Sequence, residues 1–118
     1  MNKNHLLIIS IFCILFFFVV SGVESLRTRR VNRGREYLKM ASHAEYKDKD
    51  HKLALQYYRK GCTLNHALSC LWGGMMLKDK SLNSFLSKDL IIKACSLKNE
   101  YACELVHNNG YRRVSFKQ

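Results

Sequence analysis

Two pairs of cysteines constrain this chain more than any other feature. Cys62 and Cys70 are eight residues apart, as are Cys95 and Cys103, and the second pair repeats the spacing of the first further along the chain. A unit that recurs at a period of about 33 residues marks a stacked helical-repeat protein. The first copy reads LALQYYRKGCTLNHALSC from Leu53 to Cys70. The second reads LSKDLIIKACSLKNEYAC from Leu86 to Cys103. Leucine, lysine and cysteine recur in register. Tyr57 and Tyr58 align with Leu90 and Ile91, which keeps those positions apolar, and Gly61 aligns with Ala94, which keeps that position small.

Apolar residues fall at three- and four-residue steps on both sides of each pair. Leu53, Ala54, Tyr57 and Tyr58 precede the first pair, and Leu68, Leu71, Trp72, Met75 and Met76 accompany or follow it. Leu86, Leu90 and Ile91 precede the second, and Tyr101, Leu105 and Val106 flank its end. That is helical spacing, and strand-like alternation is absent. On one straight helix the two cysteines of a pair would lie about 12 Å apart. A disulfide needs Cα atoms within about 7 Å. A bond within a pair therefore requires the chain to turn back, at Asn65-His66 and at Lys98-Asn99, where asparagine tolerates turn conformations. Four cysteines allow three connectivities. Local pairing is expected because the spacing repeats inside each unit. The competing readings are four buried free thiols and, less well matched, a zinc site, which uses closer pairs.

These residues resemble the cysteine-rich bacterial branch of the Sel-1-like repeat proteins, whose repeats are tetratricopeptide-like helical hairpins. Lys93-Ala94-Cys95, Leu97 and Cys103 match the family pattern, and Lys60-Gly61-Cys62, Leu64 and Cys70 match with one small-residue change. Gly74 stands at the family's glycine position, and Tyr57-Tyr58 resemble its aromatic pair. His107 departs from that glycine, and the interhelical loop is cut to Lys78-Asp79-Lys80-Ser81. One period before Gly74 lies Ala41, which implies a preceding cysteine-free helix. Ala41, Gly61, Gly74 and Ala94 are the expected close-packing positions. The resemblance implies an all-α fold: a short right-handed solenoid of hairpins closed by local disulfides. Helices are expected near 28–45, 50–62, 67–78, 83–96 and 100–108.

Residues 1–25 read as a secretory signal peptide. Lys3 supplies a positive start, Leu6 to Val20 is apolar but for Ser10, and Ser21, Gly22 and Ser25 are small. Cleavage after Gly22 or Ser25 is expected. The alternative is a membrane anchor over residues 6–23, at the short limit for a bilayer span. Arg27, Arg29, Arg30, Arg33 and Arg35 follow directly and oppose export, because such charge holds its side in the cytoplasm. The cysteine framework favours an oxidising, secreted or periplasmic space. The remaining organisation is a basic linker and leading helix over 26–49, repeats over 50–108 and a basic tail over 109–118, expected to be flexible.

Cleavage leaves roughly 95 residues, enough for one small core. Each short disulfide loop adds about 2–3 kcal/mol to a total near 5–15 kcal/mol, so the bonds should decide stability. Twenty Lys and Arg against nine Asp and Glu give a net charge of +11. That favours acidic protein or peptide partners, or anionic lipid. Nucleic acid is not expected, since no recognition motif appears. Self-association would cover open ends of the stack.

Some relatives in the resembled family carry β-lactamase-like or penicillin-binding annotation, so such an activity is the alternative function. Yet no serine here is followed three residues later by lysine. His5, His43, His51, His66 and His107 form no metal-binding motif. No catalytic residue, metal or cofactor is expected. Trp72, Tyr57, Tyr58, Met75 and Met76 are read as core rather than as a ligand groove. The leading expectation is an exported, non-enzymatic interaction module.

Overall fold

The computed structural model describes residues 2–111; residues 112–118, which include most of the basic tail, lie outside them. Five helices follow in order: α1 (Lys3–Tyr46), α2 (His51–Thr63), α3 (Ala67–Asp79), α4 (Ser84–Ser96) and α5 (Glu100–Asn108). Among the described residues there is no strand, so the chain is all-helical. It divides into two units, Met1–Arg30 and Val31–Gln118.

The first unit is the early part of α1. Its apolar stretch has a mean hydropathy of 3.0 over an 18-residue window and is wholly exposed, so the helix is long and apolar enough to cross a membrane. Helix was expected to begin near 28, but it runs on through Gly22 and Ser25. The physical reason is local. The chain has no proline, and nothing packs against Gly22 to break the helix there.

The second unit holds the core. Helices α2 to α5 lie within one residue of their expected limits, and α4 begins and ends one full period after α2. Their starts repeat too. Asp50 caps α2 by accepting from the Leu53 amide, and Asn83, one period later, caps α4 by accepting from Leu86. Each carboxylate or amide oxygen satisfies an amide that the first turn leaves unpaired. α3 packs on α2 and α4, and α5 packs on α4. One apolar cluster joins Cys62, Cys70, Leu71, Leu77, Leu90, Ile91, Ala94 and Ala102. A second joins Ala41 and Ala44 of α1 to Ala54 and Tyr58 of α2, and to Met76.

Close approach needs small residues where the helices meet. A β-carbon on Gly74 would sit 2.6 Å from Ile91 Cγ1 and 2.9 Å from the Ser87 carbonyl oxygen. One on Gly73 would sit 2.9 Å from Tyr58 Cβ. The glycine pair lowers the helix propensity of α3 and lets α2 and α4 press against it. At the equivalent place in α1, Ala41 is fully buried.

Candidate functional site

Both cysteine pairs are bridged locally. Cys62 and Cys70 have Cα atoms 4.7 Å apart, and Cys95 and Cys103 have theirs 4.5 Å apart. Each bond ties the end of one helix to the start of the next. The chain reverses through a left-handed residue in each corner: Asn65 at φ 60° in the first and Lys98 at φ 70° in the second. Asparagine was expected to make both turns. In the second corner Asn99 instead caps α5, accepting from the Ala102 amide, and Lys98, one period after Asn65, takes the reversal.

The two bonds differ in exposure. Cys62 and Cys70 are 2% and 0% exposed, whereas Cys95 and Cys103 are half-buried. Cys13 is a free, exposed thiol in the apolar part of α1. Of the four small positions singled out in the sequence, Ala41 and Ala94 are fully buried, and Gly61 and Gly74 face side chains that leave no room for a β-carbon.

Three elements converge at the first corner. A β-carbon on Gly34 of α1 would meet His66 Cβ at 2.7 Å, and one on Gly61 would meet Ser69 Cβ at the same distance. His66 Nδ1 and Ser69 Oγ share a hydrogen bond of 2.9 Å. Burial holds the imidazole pKa below its usual value, and the Arg35 charge lowers it further. Deeper in the unit, the buried Tyr58 hydroxyl donates to Glu45 at 2.6 Å. Burial, then the carboxylate, pushes that phenol well above its usual range. Nearby, Tyr37 and Tyr57 stack at 6.3 Å, and Lys60 Nζ lies 5.9 Å and 5.7 Å from their ring centroids.

The aromatic and methionine cluster is divided. Tyr58 and Met76 are core, whereas Trp72 is 46% exposed and is not. The reason is the helical register of α3. Ser69, Cys70, Gly73, Gly74 and Leu77 turn inward, and the glycines bring α2 and α4 too close for an indole between them. Leu68 and Trp72, one turn apart, are left on the outer stripe. Tyr101 of α5, read in the sequence as part of an apolar face, is also exposed. It stands one period after Leu68, at the same register. Arg35 of α1 occupies that register one period earlier and is exposed. Lys39 and Trp72 form a second such row, which ends there because Leu105, one period later, packs against the core. Periodicity alone could not find these rows, because exposed and buried apolar residues obey the same spacing.

Among the described residues no three His, Cys, Asp or Glu side chains gather as a metal site. His43 pairs instead with Asp48 at 3.2 Å, on the surface. Comparison with protein-family models, curated proteins and solved structures gives no match for this chain.

Proposed function

We propose that this protein is an exported, non-enzymatic interaction module. Its second unit works as a short solenoid of disulfide-closed hairpins of the Sel-1-like kind, in an oxidising space outside the cytoplasm. The observation that carries the reading is the pair of corner disulfides, placed at one register in two successive hairpins. Such bonds persist in oxidising compartments and are removed in reducing ones. The apolar helix preceding the repeats supplies the means of export.

The chemistry of the module is recognition by a rigid basic surface. Repeat stacks present extended faces built from successive outward residues, and the charge of +11 selects acidic protein or peptide partners. Fractionation of the producing cells, with an intact mass for the protein in each fraction, tests the reading. The expected result is a chain shortened by the apolar segment, recovered outside the cytoplasm. A full-length chain confined to the cytoplasm would overturn it.

A further inference from the structure

On the reading just given, we infer that the outward rows of α1, α3 and α5 form one docking face. Its occupant is an acidic segment with apolar anchors: leucine or phenylalanine side chains beside aspartate or glutamate. The rows are Arg35–Leu68–Tyr101 and Lys39–Trp72; Leu105, next in the second row, turns in against the core. Leu68, Trp72 and Tyr101 are 42%, 46% and 51% exposed, three large apolar side chains facing water on two neighbouring rows. An exposed apolar patch with a polar rim is the form of a protein-binding surface, and tryptophan, tyrosine and arginine are the residues that anchor such contacts.

Charge selects the occupant. Arg35 and Lys39 lie one turn apart on the same side of α1, and Glu36 lies a quarter-turn round. Among the described residues neither cation has a carboxylate partner, the one ion pair being His43–Asp48. They are placed to receive carboxylates from a segment whose apolar residues cover Leu68 and Trp72. At the other edge Glu100 and Glu104 of α5 are exposed beside Tyr101 and Leu105. Those acids repel an anionic bilayer, which would meet the whole face at once. A peptide can place its acids over α1 alone. The face therefore suits a peptide segment and also gives it a direction.

Trp72 is the chain's single tryptophan, so its fluorescence reports the centre of this face. The test uses the full chain, oxidised, in mild detergent. Three probes are added: a peptide with leucine, phenylalanine and a terminal glutamate run, the same peptide with glutamine for glutamate, and the glutamate run alone. The first should shift Trp72 emission to the blue, and the other two should not. With the first peptide dye-labelled, Trp72→Ala should weaken binding about 30-fold. Arg35→Glu with Lys39→Glu should weaken it about tenfold, with the salt dependence lost. That double variant should instead bind a peptide carrying lysine for glutamate, a rescue that a misfolded variant cannot give. Lys52→Glu, on α2 and off the face, should bind as the parent does. Equal binding of glutamate and glutamine peptides, or binding unchanged by Trp72→Ala, would overturn the inference. So would silence toward all peptides with binding to phosphatidylserine vesicles. Alkylation of the same sample without reductant reports the disulfides independently. A bridged protein that ignores the peptide refutes this face alone, whereas freely reactive thiols refute the reading on which it rests.

Discussion

Gly61 faces Ser69 across the first corner so closely that a β-carbon on the glycine would stand 2.7 Å from the serine Cβ. One period later the same two positions hold Ala94 and Ala102, both fully buried. The two corners thus fill similar space in different ways, as glycine with serine and as alanine with alanine. Gly61→Ala should overpack the first corner at a cost of about 1–3 kcal/mol, which the gain in helix propensity of about 1 kcal/mol only partly offsets. Ser69→Ala in the same chain should recover part of the loss, giving a non-additive double-mutant cycle in thermal unfolding. Strict additivity would show that the two positions are not coupled.

Tyr58→Phe should cost about 1–2 kcal/mol, because the buried hydroxyl donates to a carboxylate and the cavity keeps its shape otherwise. The phenol's folded pKa is raised above the unfolded value of 10. Its contribution is therefore fully present below pH 10 and is lost as pH rises from there toward the folded pKa. In an alkaline titration the phenolate absorbance of Tyr58 should appear together with unfolding, and Tyr58→Phe should remove that coupled step.

His66 has the opposite dependence. Its folded pKa lies below the unfolded value of 6.5, through burial and then Arg35. The unfolded chain thus binds this proton more readily. Stability from the neutral imidazole is complete above pH 6.5 and falls as pH drops toward the folded pKa. Melting temperatures measured from neutral to mildly acidic pH should decline in the parent and decline less in His66→Gln. Parallel curves would place the pH dependence elsewhere.

Graded reduction should open Cys95–Cys103 before Cys62–Cys70. Thiol exchange needs access for the attacking thiolate, and the first pair is at most 2% exposed while the second is half-buried. Peptide mapping after partial reduction and alkylation reads the order directly. Labels arriving first on Cys62 and Cys70 would show that exposure does not govern it.

The helical period was legible in the sequence because cysteine, lysine and leucine recur where the same contacts recur. The corner turns followed from distance together with the local pairing expected from the repeated spacing, since eight helical residues cannot bring two cysteines into bonding range. Ala41 was found by stepping back one period, and its burial agrees with the role of Gly74. Other features were hidden for physical reasons. The caps Asp50 and Asn83 repeat in register, but their residue types differ, so the pattern was not seen. Lys98 gives no sign in its side chain that it takes a left-handed turn; only its register with Asn65 marks it. Trp72 misled because hydrophobic spacing does not say which face of α3 two glycines have already claimed.

The proposed location outside the reducing cytoplasm rests on the local pairing of Cys62 with Cys70 and of Cys95 with Cys103. The most direct test is an intact mass of the native protein after alkylation, with and without prior reduction. Cys62, Cys70, Cys95 and Cys103 should take up label only after reduction. Labelling of those four thiols in the unreduced native protein would contradict it.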